Sequence, residues 1–510
     1  MRKFTLFLMS LFLSVGAMAQ TLVEYKIITS GDGITGVLSR TDNNTSSSWK
    51  DLFTYTTTDA NPALLKLQVT RPSATNYRFD MTTYNGGVVI ATGGNTNPTT
   101  YTLSVPEPYR IASYSFSIVA SNSANTITPV HGTGDVVTTS KTETKVFSVT
   151  DINLASAAFT LEGTNNNQNV TNFVVKVYNN LENKYITLQC VNGEKYLTST
   201  IGTTSDCRRL VMNANEKDVF YYTGNALLSY TEGKYMKVSA KGQRYEMYWD
   251  EIGVETPVAI GIQANGDGMY SVTLGNKNEF VNNTTNGYRF LHGTNNYTDS
   301  GTSASLPTDN GYKWYVEEAT SLPVTISAAG WATFYAPVAV EVAEGVNAYA
   351  VTINGNWATL NDIEGGVIPA NTGVVLQGEA NTTYDFVVTN TTATVDSDLT
   401  GTAAATYITD DAYVLTVDAS SEAGVCFGKA TKNQQSNASW LNNSHKAYLP
   451  VPANAEGVKS YSFRFPGTTV IENVEVENTV KAIYDLTGRK VNEITAPGIY
   501  VVNGKKVLVK

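Results

Sequence analysis

The sequence predicts an all-β protein built from tandem small domains, and three observations carry that prediction. Apolar residues fall in short runs, often strictly alternating and bounded by Gly, Asn, Asp, Pro or Thr, as expected of strands closed by turns. Charged residues make up only 16% of the chain, against about 25% in an average domain; Thr, Asn, Gly and Tyr take their place. A short signature also recurs three times between Lys184 and Ala319, at intervals of roughly 40 residues. With 510 residues, the chain exceeds the roughly 250 to 300 at which one core stops growing. The expected segments are 1–19, 20–180, 181–319, 320–466 and 467–510.

Segment 1–19 reads as an export signal. Arg2 and Lys3 form a positive start, Phe4 to Val15 an apolar stretch, and Ala17-Met18-Ala19 a small-x-small cleavage site. The apolar stretch is too short to span a bilayer, and no second run of about 18 apolar residues follows. The formal net charge of −10 disfavours binding to phosphate backbones or anionic lipid. No nucleic acid, no transmembrane segment and no cofactor are expected, and the place of action is expected to be outside the cell or on its outer surface, reached through the periplasm.

Segment 20–180 has the strand spacing of a β-sandwich. Its candidate strands are Leu22 to Ile28, Leu64 to Val69, Tyr77 to Met81, Val88 to Ala91, Tyr101 to Val105 and Phe173 to Val177. In the last, Phe173, Val175 and Val177 face one way and Val174 and Lys176 the other. Between Ile111 and Tyr114 the apolar phase slips by one residue, which predicts a bulge. Trp49 and Phe53 are read as covering a sheet, with an exposed sugar platform as the other use of such rings.

In segment 181–319 the three copies are Gly193-Glu194-Lys195-Tyr196-Leu197, Gly233-Lys234-Tyr235-Met236 and Lys277-Asn278-Glu279-Phe280-Val281. Each follows an apolar run (Ile186 to Val191, Ala226 to Tyr230, Tyr270 to Leu274), and each is closed by another (Val219 to Tyr222, Val258 to Ile262, Trp314 to Val316). A unit this short cannot bury its apolar face alone, so the copies must be each other's partners. The layout resembles a β-trefoil, without the Gln-x-Trp ending of ricin-type lectins; Lys313-Trp314 is the nearest equivalent.

Sugar binding in water uses an aromatic face and a few convergent amides or charges. Two stretches carry that mixture, Gln243 to Glu251 and Asn286 to Tyr297, and they give the candidate ligand-binding residues Tyr245, Tyr248, Trp249, Asp250, Tyr288, Arg289, His292 and Tyr297. The alternation also suits a half-buried strand with Tyr245, Met247 and Trp249 inward and Tyr248 on the surface. A Cys190 to Cys207 disulfide is one use of those two thiols in an oxidising compartment, and small apolar packing is the other. No metal site is expected, since His131, His292 and His445 lack any zinc-like spacing.

Segment 320–466 is read as a sandwich-like β-domain. Gly330-Trp331-Ala332-Thr333-Phe334-Tyr335-Ala336-Pro337, Ile368 to Leu376 and Lys446 to Pro452 resemble a β-domain common near the C-terminus of exported Bacteroidetes proteins. The tail carries Leu486-Thr487-Gly488-Arg489, Pro497-Gly498-Ile499-Tyr500 and a basic end from Lys505 to Lys510. These pieces resemble the C-terminal sorting domain of the type IX (Por) secretion system. The resemblance implies a sorting role for Leu486, Gly488, Arg489, Gly498, Tyr500, Lys505 and Lys506, with the secretion machinery as partner.

Three function classes follow. The first is a non-catalytic secreted or cell-surface protein that binds carbohydrate, a glycan or a host mucosal surface. The second is a glycoside hydrolase or its accessory, with Asp250, Glu251, Glu317 and Glu318 as the nearest carboxylates; neighbours in a strand point to opposite faces, which leaves no paired acids. The third is an adhesive or structural surface protein that binds a protein partner. No G-x-S-x-G, H-E-x-x-H or P-loop is present, so no catalytic residues are assigned.

Overall fold

The computed structural model describes residues 22–27, 38–40, 52–57, 65–70, 83–84, 87–91 and 98–509, apart from 122, 164–166, 255, 281–286, 392–393, 434–437, 454, 456, 467–482, 492–493, 495 and 503–504. The export signal, the strand expected at Tyr77 to Met81, Trp49 and the Phe53 side chain lie outside the described residues. What is described is all-β, with only two single-turn 3-10 helices, Asn310–Tyr312 and Glu364–Gly366. Among the described residues no helix is long and apolar enough to cross a membrane.

The first domain is a sandwich of two antiparallel sheets. One contains Lys145–Val149, Tyr109–Ala120, Asn167–Asn179, Gly87–Ala91 and Thr83–Tyr84 in spatial order, with Val23–Ile27 also paired to Asn167–Asn179. The other runs from Val137–Thr138 through Asn125–Pro129, Ser156–Gly163, Thr99–Ser104, Lys66–Thr70 and Leu52–Thr57 to Leu38–Arg40. Alternation drives the packing: Phe173, Val175 and Val177 are buried, and Val174 and Lys176 between them are half-exposed. Across the layers Phe116 meets Phe159 with ring centroids 5.2 Å apart, and Phe159 stacks on its cross-strand partner Tyr101 at 4.8 Å. The bulge is where the phase slip places it. Val177 pairs with Ile111 and Lys176 with Ser113, so Ala112 is the extra residue.

Among the described residues the middle domain has twelve strands, in four per repeat: β1 (Lys184–Cys190), β2 (Lys195–Thr204), β3 (Cys207–Asn213) and β4 (Phe220–Tyr222); β5 (Leu227–Ser229), β6 (Met236–Lys241), β7 (Arg244–Trp249) and β8 (Ile260–Ala264); β9 (Tyr270–Leu274), β10 (Tyr288–Gly293), β11 (Thr298–Ser303) and β12 (Trp314–Glu318). The apolar runs that open and close each copy are its first and fourth strands. These six form a barrel: β1 pairs with β4 and β12, β4 with β5, β8 with β9, and β9 with β12. The Ile260 amide donates to the Asn225 carbonyl at 2.6 Å and joins the ends of β5 and β8. The hairpins β2–β3, β6–β7 and β10–β11 complete the β-trefoil arrangement. Its core gathers Leu188, Phe220, Leu227, Ile260, Leu274 and Trp314 around the barrel interior.

The expected Cys190 to Cys207 disulfide does not form. Cys190 and Cys207 are both buried free thiols, as is Cys426. Cys190 lies beside Lys195 at the start of β2, and Cys207 beside Thr204 at its end. A ten-residue strand therefore stands between them, whereas a bridge needs Cα atoms within about 7 Å. The Cys190 Sγ instead lies 3.6 Å from the Gly311 carbonyl oxygen.

Among the described residues the third domain has two main sheets over two apolar clusters, with Thr406–Ile408 and Trp440–Asn442 paired as a separate two-stranded ribbon. Ser321–Thr325, Thr383–Thr389, Ala339–Glu341 and Val367–Ile368 form the smaller sheet; the larger includes Trp331–Phe334, Val374–Gln377, Asn347–Asn354 and Trp357–Asp362, the last paired in parallel with Ser460–Arg464. One cluster extends into the trefoil, where Tyr185, Tyr221 and Leu228 pack with Leu322, Phe334 and Phe386. The Tyr230 hydroxyl donates to the Pro323 carbonyl at 2.9 Å, and the Ala405 amide to the Gly233 carbonyl at 2.8 Å. The two domains therefore share a core.

His445 lies in that shared core, 5% exposed and stacked on Tyr230 at 4.1 Å. Its Nδ1 is 3.2 Å from the Tyr335 carbonyl oxygen, which can only accept, so the neutral ring carries its proton there. The Nε2 is buried without a hydrogen-bond partner. Burial pulls the imidazole down from its ordinary value to about 4. The unfolded chain protonates first as pH falls, so stability from this residue is lost between the ordinary histidine value and about 4, a total of about 3 kcal/mol. Chemical denaturation at pH 7 and pH 4.5 should show this slope in the wild type, and His445→Gln should flatten it; an unchanged slope would contradict the assignment.

The last residues, Phe465 to Lys510, form a separate compact unit. Its described strands, Lys490–Val491, Ile483–Asp485, Gly498–Val502 and Lys505–Val509, pair in that order. The Asp485 carboxylate accepts from the Thr487 and Arg489 amides at 3.0 and 2.9 Å, and Gly488 takes φ +85°. Asp485 and Gly488 thus build the Leu486-Thr487-Gly488-Arg489 turn between them. Leu486 is exposed at the tip of that turn, and Tyr500 on the next strand donates to the Ala496 carbonyl.

Candidate functional site

The three capping hairpins converge on a cleft of about 460 Å³. Thr204, Ser205 and Arg209 come from β2–β3, Gln243, Arg244 and Tyr245 from β6–β7, and Arg289, Thr294, Tyr297 and Asp299 from the third hairpin and its turn. Each repeat supplies one tip, so no single repeat contains the site. Hydroxyls dominate the lining together with three guanidinium groups and the Gln243 amide, and among the described residues Asp299 is its sole carboxylate.

Arg209 fastens the tips to one another. Its guanidinium donates to the Tyr245 carbonyl of the second hairpin and lies 3.5 Å from the Asp299 carboxylate of the third. Only 4% of Arg209 is exposed, so these partners offset the cost of burying its charge. Arg289 lies with its Cζ 3.6 Å from the Tyr245 ring centroid, in cation–π geometry. Its Nε donates to the Phe280 carbonyl at 2.6 Å and its Nη1 to the Ser300 hydroxyl at 3.0 Å. Arg244 stands exposed at the rim and donates to the Ser205 carbonyl at 2.9 Å. Tyr297 closes one side: a Cβ on Gly202 would come within 2.5 Å of its ring, so the first hairpin can approach it only with glycine at that position.

The residues expected to bind ligand divide between this cleft and other places. Tyr245, Arg289 and Tyr297 line it. Tyr248 lies outside with Arg208 3.3 Å above its ring, and Arg208 also pairs with Glu246 at 3.0 Å. That hydrogen bond leads the causes that hold the Glu246 carboxyl at about 2. Trp249 is a core residue, stacked on Phe220 at 5.8 Å and donating from Nε1 to the Ser199 carbonyl at 2.6 Å. Asp250 is buried and takes Lys237 at 2.7 Å, so its carboxylate is spent on that pair. Tyr288 packs toward Phe290 at 6.3 Å, and His292 against Tyr312 at 4.3 Å with Asp309 3.6 Å away. None of these five lines the cleft.

Sequence reasoning missed Arg209 and Asp299, and it marked the stretch that holds Arg244 without singling that residue out. A signal was present, because the repeat segment contains four arginines, Arg208, Arg209, Arg244 and Arg289, all within capping hairpins. A second cleft of about 450 Å³ in the third domain runs along Trp331, Leu415, Val417, Trp440, Asn442 and Lys446. It has one cation and none of the expected site residues. Among the described residues no cluster of His, Cys, Asp or Glu could hold a metal ion.

No family model and no characterised relative matches the chain. Among solved structures, a complex of lysenin with phosphocholine is similar at a TM-score of 0.21 and 14% identity, over 59% of this chain and 99% of that one. A likeness at that score bears on neither fold nor ligand.

Trp249→Ala should cost about 3 to 5 kcal/mol of stability, as large-to-small changes in a packed core do. Denaturant titration checks this; a loss below about 1 kcal/mol would contradict its core assignment.

Proposed function

We propose that the protein is a non-catalytic secreted or cell-surface protein that binds glycan through the cleft between the three trefoil hairpins. The observation that carries this reading is the lining. Tyr297, with Tyr245 beneath Arg289 beside it, stands among the hydroxyls of Thr204, Ser205 and Thr294 and the amide of Gln243. Tyrosine gives a saccharide an apolar ring beside polar atoms, and convergent hydroxyls and amides match its hydroxyls. A polar cleft of this size suits a small hydrophilic ligand better than an apolar one, and it lies on rigid hairpin ends held by buried arginines.

The tail supports delivery to the cell surface by a type IX-like system. Its turn is built around Asp485 and Gly488. In the described sheet the basic strand Lys505–Val509 is an edge, open to pairing with another chain.

Tyr297→Ala should lower retention on a glycan array about three- to tenfold, the worth of one aromatic contact. Its melting temperature should fall less than that of Trp249→Ala. Wild-type protein that retains no glycan would refute the reading. Deletion of Thr479 to Lys510 should leave the protein in the periplasm; normal surface delivery of the shortened chain would refute the sorting role.

A further inference from the structure

Charge is distributed unevenly over this chain. It is acidic as a whole, at −10, yet all four arginines of the trefoil gather in the capping hairpins. Arg209, Arg244 and Arg289 line the cleft against, among the described residues, the single carboxylate of Asp299. Arg208 faces away, neutralised by Glu246 at 3.0 Å. At physiological salt, screening beyond about 8 Å hides the distant acids from a group inside the cleft, so the local excess of positive charge decides what it attracts.

The arginines are only partly satisfied. Among the described residues Asp299 is the one carboxylate paired with Arg209, at 3.5 Å, and its side chain is 55% exposed. Arg289 is 6% exposed and has carbonyl and hydroxyl partners on Nε and Nη1, with no carboxylate paired to it among the described residues. Burial pulls this guanidinium below its ordinary value, as expected of a charge without a full counterion. Arg244 holds one carbonyl with Nη1 and is otherwise open to solvent. A guanidinium offers five donors in a fork that fits a carboxylate or a sulfate group.

We infer that the cleft selects an acidic saccharide, with the anionic substituent held by Arg244 and Arg289 and the sugar ring against Tyr297. This rests on the glycan reading above and narrows it to sugars bearing a carboxylate or a sulfate ester. Asp299 is then a specificity residue: it keeps Arg209 in place and limits how strongly anions are drawn in.

The test titrates the full chain with matched oligosaccharides: a neutral one, its uronate-containing counterpart and its sulfated counterpart. The acidic members should bind at least about tenfold more tightly than the neutral one, the worth of one charge-assisted hydrogen bond, and the better of the two identifies the substituent. Arg244→Gln, at an exposed position, should remove about tenfold of the acidic affinity and cost the neutral member less, so that the preference for acidic over neutral sugar falls; an equal loss for all three would overturn its role in holding the anion. Asp299→Asn should tighten acidic binding about threefold, whereas a merely structural Asp299 would weaken all three. Equal binding of neutral and acidic members would overturn this inference and leave the glycan reading standing. Binding of none would overturn both.

Discussion

Everything in the middle of this protein depends on strands that cannot satisfy their own backbone. β1 hydrogen-bonds to β4 of its own repeat on one side and to β12 of the last repeat on the other. Remove either and a row of amides and carbonyls is left unpaired in an apolar interior, where each costs about 1 to 3 kcal/mol. The three repeats are thus a single cooperative unit. That closure also brings their hairpin tips together, so the cleft follows from how the barrel is completed.

The same closure explains why the tips carry charge. Hairpin ends from different repeats have little apolar surface to share, and arginine crosses between them instead. Arg209 reaches a carbonyl of the second hairpin and a carboxylate of the third, and Arg289 covers the ring of Tyr245 from the next hairpin. Tips already tied to one another by hydrogen bonds and stacking leave less to order when a ligand binds. The arrangement also combines structural and recognition roles in the same side chains. Exposed Arg244, and Asp299 with its half-open carboxylate, are the members whose role in recognition can be separated from their role in support.

The fold was legible where local pattern and burial agree. Continuous apolar runs became the barrel strands, and the one-residue slip before Tyr114 became the bulge at Ala112. The site was legible only in part, because alternation reports which face a residue takes but not how deep it lies. Tyr245 and Trp249 alternate on the same face of β7; Trp249 lies at the barrel end and is core, while Tyr245 lies at the tip and lines the cleft. Arg209 and Asp299 meet only through closure of three repeats, and nothing local marks their pairing. His445 meets Tyr185 across two domains, 260 residues apart in the chain. The two cysteines looked close in sequence for the converse reason, since a strand arm carries them apart.

The most direct measurement of the central claim is side-chain NMR of the arginine Nε–H groups in the full chain, titrated with an acidic oligosaccharide. Arg244 and Arg289 should shift on addition while Arg110 and Arg464, in other domains, stay still. Arg244 and Arg289 signals that stay still at saturating oligosaccharide would contradict the claim.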